Sequence, residues 1–204
     1  MNSGIDQRNP GRTHAPPGGT VIFLNGTSSS GKSSIATELL RILDGRYFHF
    51  PVDAFHAMRS EREILPHELQ DVIDSTARGF HRAAAGMAAG GNDIVVDHVL
   101  SRSWRLDDCL SVFAPDDVLL VGVRCPLPEL ERRERERGDR TPGQAAMQFG
   151  QVHAHGVYDI ECDTSVLTPL ECAERIRDLL PVRPRPTAFR RLLAELLPRS
   201  TADG

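Results

Sequence analysis

The 204-residue sequence predicts an α/β fold in which helices cover both faces of a parallel sheet. Short apolar segments alternate along the chain with longer amphipathic segments, which is the order expected of strand–helix–strand units. The apolar segments are rich in Val, Ile and Phe and mostly lack polar alternation, so both faces of the sheet are expected to be buried. Right-handed crossovers should join the parallel strands. Together these observations predict a three-layer sandwich.

Five strands and six main helices follow from this pattern. The predicted strands are residues 20–25, 47–51, 93–97, 118–124 and 158–162. The predicted helices are residues 32–43, about 68–89, 104–113, 127–137, 142–153 and 169–180. A chain of this length usually forms one domain, and no internal repeat or second domain is apparent.

The two ends of the chain differ from this central part. Residues 1–19 are polar and rich in Gly and Pro, which predicts a disordered lead-in rather than a signal peptide. The folded domain is expected to span residues 20–181. Residues 182–204 are expected to form a proline-rich linker and a C-terminal helical extension. The leucine stripe of the short helix predicted at 187–197 should pack on the domain or on a second copy of the chain.

Composition excludes several classes of protein. The apolar fraction is 40% and the charged fraction 25%, as in ordinary soluble domains. A net charge of -4 gives no reason to expect nucleic acid or an acidic membrane as a partner, and no apolar run is long enough to cross a bilayer. The four cysteines form no C-x-x-C pair. Without an export signal, they are expected to be reduced thiols in the cytoplasm.

The most specific motif contains the only lysine of the chain. Lys32 lies in a G-x-x-x-x-G-K-S segment that directly follows the first predicted strand. This spacing is that of a phosphate-binding loop (P-loop, or Walker A motif), in which backbone N–H groups and a helix N-terminus surround an anion. Lys32 should reach the β and γ phosphates, and the Ser33 hydroxyl should bind Mg²⁺. The predicted nucleotide-binding residues are Gly26, Thr27, Ser28, Ser29, Ser30, Gly31, Lys32, Ser33 and Ser34.

The nucleotide is expected to be ATP. P-loop GTPases read guanine with an Asn-Lys-x-Asp segment, which a chain with Lys32 as its sole lysine cannot contain. Asp97, at the end of the third predicted strand, matches the Walker B position that holds Mg²⁺ directly or through water. The other interpretation of Asp97 is a helix cap or turn residue.

The densest charge cluster is the arginine–glutamate segment at residues 132–140. Such alternation usually marks a solvated helix face with paired charges. Its position after a strand and a helix instead predicts a lid that places arginines on the transferring phosphoryl group. Arg133, Arg137 and Arg140 are the predicted lid arginines, and Arg132 and Arg135 are expected to be solvated.

Asp53 is the predicted catalytic carboxylate. It follows the second predicted strand, where it could accept the proton of an acceptor hydroxyl or hold that hydroxyl in line for attack. Alternatively, Asp53 could cap a short helix at 54–59. Five further side chains lie on segments that should border the same crevice and are candidates for acceptor binding: Phe55, His56, His98, Arg102 and Trp104. For each of them, a packing or surface role is an equally good interpretation.

These motifs resemble the chloramphenicol phosphotransferase family. The resemblance is carried, in order, by the stretch 21–33, the turn Val52-Asp53, and the segments 121–125, 137–140 and 157–164. It implies a P-loop kinase-like fold with a five-stranded parallel sheet and an arginine-bearing lid, the use of ATP and Mg²⁺, and phosphoryl transfer to a hydroxyl of an antibiotic. It also implies phosphate and metal roles for Lys32 and Ser33, a base at Asp53, lid positions for Arg133 and Arg137, and an adenine-side wall at Asp163 and Thr164.

Two departures from the family leave the acceptor open. Asp97-His98 stands where Asp-Asp is expected, and residues 54–69, which should line the acceptor pocket, match poorly. The resemblance is therefore equally compatible with a capuramycin-type nucleoside and with chloramphenicol as the phosphoryl acceptor. The alternatives are a metabolic kinase of the shikimate or nucleoside type, an ATP-binding regulatory protein, and an enzyme that mainly hydrolyses ATP.

Overall fold

A five-stranded parallel sheet forms the centre of the protein, as predicted. The structure is a computed structural model that describes residues 18–137, except for the side chain of Arg137, and residues 143–196. The strands are β1 (Val21–Asn25), β2 (Tyr47–Pro51), β3 (Asp93–His98), β4 (Val118–Arg124) and β5 (Ile160–Asp163). They lie side by side in the order β2-β3-β1-β4-β5.

Eight α-helices are found in the described residues, and their order agrees with the predicted alternation. They are α1 (Lys32–Ile42), α2 (Val52–Ala57), α3 (Leu69–Ala89), α4 (Ser103–Val112), α5 (Leu127–Arg137), α6 (Gln144–Phe149), α7 (Pro169–Leu179) and α8 (Ala188–Leu196). No helix of the described part is long and apolar enough to cross a membrane.

The strand residues alternate between two separate apolar clusters, which explains why the strands are apolar throughout. In β1, Val21 and Phe23 pack in a cluster with α3, α4 and α8. Ile22 and Leu24 point to the opposite face and pack with α1 and α7. Both faces of the sheet are therefore buried under helices, and the three-layer sandwich is confirmed.

The C-terminal helix α8 packs on the domain. Ala188, Phe189 and Leu192 are buried in the first cluster, where the Phe189 ring lies 5.7 Å from that of Phe23. The carboxylate of Asp159 accepts hydrogen bonds from the backbone N–H of Ala188 and Leu120, at 2.7 and 2.8 Å. This carboxylate fastens α8 to β4.

The predicted helix at 142–153 is wrong in its second half. Helix α6 ends at Phe149 and residues 151–155 form turns. The buried amide of Asn25 explains the difference, because its Nδ2 donates to the Val152 carbonyl and to the Tyr158 hydroxyl, both at 2.8 Å. Its Oδ1 accepts from the Leu100 backbone N–H at 2.9 Å. Asn25 thus joins two connections, β3–α4 and α6–β5, at the end of β1.

The strand register brings the predicted functional segments to one edge of the sheet. Asn25 pairs with His98 on one side and with Gly122 on the other. Pro51 pairs with Asp97, and Arg124 pairs with Asp163. The loops that follow these strands therefore meet in one crevice at the carboxyl edge, the usual position of a ligand site in an open parallel sheet.

Candidate active site

The P-loop connects β1 to α1 in a shape that depends on its two glycines. Gly31 has φ +94° and is the N-cap residue of α1. A Cβ at Gly26 would lie 2.6 Å from the Val123 carbonyl oxygen and 2.6 Å from the Ser30 hydroxyl. The first glycine is therefore required by close packing on β4, and the second by a left-handed backbone conformation.

Three P-loop hydroxyls are buried without a hydrogen-bond partner among the described residues. They belong to Ser28, Ser29 and Ser30. A buried polar atom without a partner costs free energy and calls for an explanation. A bound phosphate, whose oxygens accept hydrogen bonds, would provide the missing partners at the N-terminus of α1.

Lys32, Ser33 and Asp97 lie together beside this loop. The Lys32 ammonium donates to the Thr27 carbonyl at 2.8 Å and lies 3.9 Å from an Asp97 carboxylate oxygen. The Ser33 hydroxyl donates to the other Asp97 oxygen at 2.6 Å. The structure therefore brings together the lysine, hydroxyl and carboxylate that the sequence predicted for phosphate and Mg²⁺.

Asp97 is charged despite its burial. Burial alone would raise its pKa, but His49, Lys32 and Ser33 act in the opposite direction and hold the pKa below its ordinary value. A buried carboxylate beside a hydroxyl is a suitable ligand for a hard cation such as Mg²⁺.

Arg133 of α5 contacts the loop that follows β5. Its guanidinium donates to the Thr164 hydroxyl at 3.1 Å and to the Thr164 carbonyl at 2.7 Å, and its Nε donates to Glu129 at 2.7 Å. The Thr164 hydroxyl in turn donates to the Ser30 carbonyl at 2.8 Å. Arg133 and Thr164 are thus fixed against the P-loop, whereas Asp163 accepts from the Ser165 N–H and hydroxyl within its own turn.

The rest of the predicted lid is partly outside the described residues. Arg140 is not described, and Arg137 is described only as the last residue of α5. Arg132 is exposed and pairs with Glu129 and Glu136, and Arg135 is also exposed, as expected for solvated positions.

Glu134, on the same helix, was missed by the sequence analysis. It is buried and accepts from the backbone N–H groups of Gly143 and Ala145, at 2.8 and 3.1 Å. It therefore fastens α6 to α5. Since the glutamates of this segment alternate with arginines, no feature of the sequence separates Glu134 from its exposed neighbours.

Two cavities adjoin at Asp53. The first, the P-loop pocket, is lined by P-loop residues, Asp97 and Asp53. The second, which we call the outer cavity, is lined by residues of α2, α3, α6 and the β3–α4 segment, from Asp53 and His56 to His98, Arg102 and Gln148. Val52, Asp53, Val99, Gln144 and Gln148 line both cavities. Asp53 is therefore in the wall between the candidate phosphate site and a larger neighbouring space.

The predicted acceptor-binding residues separate into two groups. Asp53, His56, His98 and Arg102 all line the outer cavity. Phe55 instead packs in the first apolar cluster, with its ring 5.1 Å from that of Phe80. Trp104 lines a different cavity and lies under the guanidinium of Arg78. Asp53 is the second residue of α2, whose N-cap is Pro51, so the structure does not place Asp53 at the cap.

Gln144 and Gln148 of α6 are further residues that the sequence analysis missed. They are four residues apart on one helix, and both line both cavities. The Gln148 side-chain oxygen accepts from the Ser28 backbone N–H at 2.8 Å. The only feature of the sequence that could have indicated these residues is their helical spacing after the arginine-rich segment. Glutamine pairs with this spacing are common on exposed helix faces, so the feature is not specific.

His98 ends β3 and belongs to a buried polar chain. Its Nε2 is 2.9 Å from Nε2 of His81, and Nδ1 of His81 is 2.6 Å from Asp108. Arg82 contacts Asp108 at 3.0 and 3.1 Å. Burial lowers the pKa of both histidines, that of His98 well below its ordinary value. His98 is therefore a buried, neutral group held in position in the wall of the outer cavity.

Comparison with known proteins finds a family match over most of the chain. The family model described as chloramphenicol phosphotransferase-like protein matches residues 19–181. Proteins from two strains of Mycobacterium tuberculosis, which carry the provisional name O-phosphotransferase, are each 30% identical over 205 residues, covering 89% of this chain and 91% of theirs.

Several solved structures share the fold. The Mycobacterium tuberculosis APS kinase in complex with AMPPNP and APS has a TM-score of 0.62 at 20% identity, covering 81% of this chain and 99% of that one. The Deinococcus radiodurans tunicamycin resistance protein has a TM-score of 0.60 at 18% identity, with coverages of 79% and 95%. Shikimate kinase from Acinetobacter baumannii in complex with shikimate has a TM-score of 0.54 at 11% identity, with coverages of 80% and 94%.

The structural neighbours support the fold, and the family match identifies the class of protein. A phosphotransferase family and a kinase fold agree with the P-loop of this sequence, so the protein is an ATP-dependent phosphotransferase. The chain belongs to the chloramphenicol phosphotransferase-like family.

Proposed function

We propose that this protein transfers the γ-phosphoryl group of ATP to a hydroxyl group of a small molecule that occupies the outer cavity. The observation that carries the proposal is the position of Asp53, which lines both the P-loop pocket and the outer cavity. A carboxylate in that wall can contact an acceptor hydroxyl on one side while the phosphates lie on the other.

In the proposed reaction, Asp53 accepts the proton of the acceptor hydroxyl. The oxygen then forms a bond to the γ-phosphorus, and the bond from that phosphorus to the β–γ bridging oxygen breaks, so that ADP leaves. Such transfers depend mainly on position and on stabilisation of charge, with little covalent chemistry from the protein. Lys32, the P-loop N–H groups and the lid arginines Arg133, Arg137 and Arg140 would supply that stabilisation.

Ser33 and Asp97 would hold Mg²⁺ together with phosphate oxygens of the nucleotide. The hydrogen bond of 2.6 Å between them places a hydroxyl and an ionised carboxylate at one point beside the P-loop. When bound, the cation neutralises charge that develops on the phosphates. Thr164 and Asp163, on the other side of the loop, would form the wall beside the adenine.

The family description favours an antibiotic as the acceptor. Phosphorylation would add close to two negative charges to a drug hydroxyl and so spoil its fit to its target, giving resistance by modification. Chloramphenicol and a capuramycin-type nucleoside are the first candidates. A metabolite kinase of the shikimate type is the second candidate function, and the arginines of the outer cavity favour it.

The test is ATP consumption by the purified protein with Mg²⁺ and mass detection of the product. The acceptors are chloramphenicol, a capuramycin-type nucleoside, shikimate and a blank without acceptor. A product heavier by one phosphoryl group supports the proposal and identifies the acceptor class. Lys32→Ala serves as the inactive control. Phosphate release that is the same with and without every acceptor would contradict the proposal and indicate ATP hydrolysis.

A further inference from the structure

The charged lining of the outer cavity is mainly cationic. Its charged residues are Arg59, Arg102, Arg105 and Asp53, so three guanidinium groups face one carboxylate. The remaining polar lining is neutral at physiological pH, since the pKa values of both histidines, His56 and His98, lie below the ordinary value.

Two of these arginines, Arg59 and Arg102, donate only to neutral oxygens among the described residues. Arg102 donates to the side-chain oxygen of Gln70 at 2.9 Å, and Arg59 donates to the His56 backbone carbonyl at 3.1 Å. No ion pair of either arginine is found in the described part of the chain. Their partners are neutral oxygens, which leaves their charge available to a ligand.

Arg105 is the most buried of the three. Its side chain is 11% exposed and donates to the Val99 carbonyl at 3.1 Å and to the Ser101 hydroxyl at 3.2 Å. Its Nη2 lies 3.7 Å from a carboxylate oxygen of Asp74, an ion pair that offsets part of its charge. Arg105 is thus a fixed cation in the cavity wall, and its position does not depend on a flexible surface side chain.

The histidines of the cavity are affected by this positive charge. After burial, the largest cause of the lowered pKa of His56 is its neighbour Arg59, and Arg105 contributes to lowering the pKa of both His56 and His98. These arginine contributions, which are smaller than that of burial, have the sign that also favours a bound anion.

We propose that the outer cavity binds an alcohol that also carries an anionic group, a carboxylate, sulfate or phosphate, with the anion held by Arg102, Arg105 and Arg59 and the hydroxyl directed to Asp53. This inference rests on the proposed phosphotransfer function and narrows its acceptor class. Arginine is the side chain best suited to bind such anions, because its planar guanidinium group can donate two parallel hydrogen bonds to one anion.

The inference is tested with two matched pools of small alcohols, ATP and Mg²⁺. The first pool contains hydroxy acids and sugar phosphates. The second contains their methyl esters and dephosphorylated counterparts, together with chloramphenicol. Mass detection should find phosphoryl transfer to a member of the anionic pool, at least about ten-fold faster than to its neutral counterpart, because a charge-assisted hydrogen bond is lost in the neutral compound.

Arginine variants separate anion recognition from general damage to the fold. With the anionic acceptor, Arg102→Gln should raise KM about ten-fold or more and change kcat less, and Arg102→Lys should recover part of the loss. Arg177→Gln on α7, an exposed position paired with Asp178, is the matched control and should leave KM unchanged.

The possible results distinguish failure of this inference from failure of the proposed function. Equal or faster transfer to the neutral pool would overturn the anionic acceptor and leave phosphotransfer intact. Unchanged KM in both Arg102→Gln and Arg59→Gln would also overturn it. If no member of either pool is phosphorylated while the protein still binds ATP, both the proposed function and this inference are contradicted.

Discussion

Replacing Gly26 by alanine tests whether the P-loop depends on close contact with β4. The added Cβ would lie 2.6 Å from the Val123 carbonyl oxygen, 2.6 Å from the Ser30 hydroxyl and 3.1 Å from the Val123 Cβ. The hydroxyl can rotate away, but the carbonyl belongs to the central sheet, so the end of β1 must move from β4. Overpacking of this kind costs about 1–3 kcal/mol. ATP affinity should also fall, because the displaced Ser30 belongs to the phosphate site.

Gly79→Ala is the matched control for this substitution. Gly79 is an exposed residue inside α3, and apart from its chain neighbours and the nearby backbone of the helix itself, no atom lies within 4 Å of the position of its added Cβ. The same chemical change should there stabilise the protein by about 0.5–1 kcal/mol, because alanine favours a helix over glycine.

Thermal unfolding and ATP titration of the two variants test this prediction. With about 2–4 °C of Tm per kcal/mol for a protein of this size, Gly26→Ala should lower Tm by about 2–12 °C, while Gly79→Ala should raise it by about 1–4 °C. A Gly26→Ala protein with wild-type stability and wild-type ATP affinity would refute the argument, since it would show that β1 and β4 can separate at no cost.

Three further predictions concern catalysis, the lid and pH. Asp53→Asn should lower kcat by about 10²–10⁴-fold with ATP affinity retained, as expected for loss of a general base; unchanged turnover in a steady-state assay would remove Asp53 from that role. Glu134→Gln should destabilise the protein by about 1–3 kcal/mol in urea unfolding, because two N–H groups of the α6 turn lose a charged acceptor; equal stability would show that α6 is held by other contacts. Lowering the pH from 7 to 5 should destabilise the fold by up to about 1.4 kcal/mol per pH unit for each of His81 and His98, because both pKa values are lowered in the folded state and the unfolded chain, with a histidine pKa of about 6.5, therefore binds more protons. Urea unfolding at both pH values measures this slope, and a His98→Gln variant with an undiminished slope would contradict it.

The fold was predictable because sequence periodicity and tertiary burial agree in this chain. Strands that are buried on both faces read as continuous apolar runs, and β1, with Val21 and Phe23 in one cluster and Ile22 and Leu24 in the other, is an example. The boundaries that were wrong are those set by single polar side chains from distant parts of the chain. Asn25, 127 residues from Val152, ends the helical region by binding the Val152 carbonyl, and no local pattern contains that information.

The P-loop side of the site was predictable for a similar reason, and the acceptor side was not. A phosphate site is built from consecutive residues, so the spacing of Gly26, Gly31 and Lys32 describes it almost completely.

The outer cavity is built from four separate segments, and its charge depends on which arginines the fold brings together. Sequence reasoning chose Arg102 and missed Arg59 and Arg105, although the chain has 24 Lys+Arg residues from which to choose. The acceptor of this enzyme is therefore best sought from the charge of its cavity, which only the folded arrangement reveals.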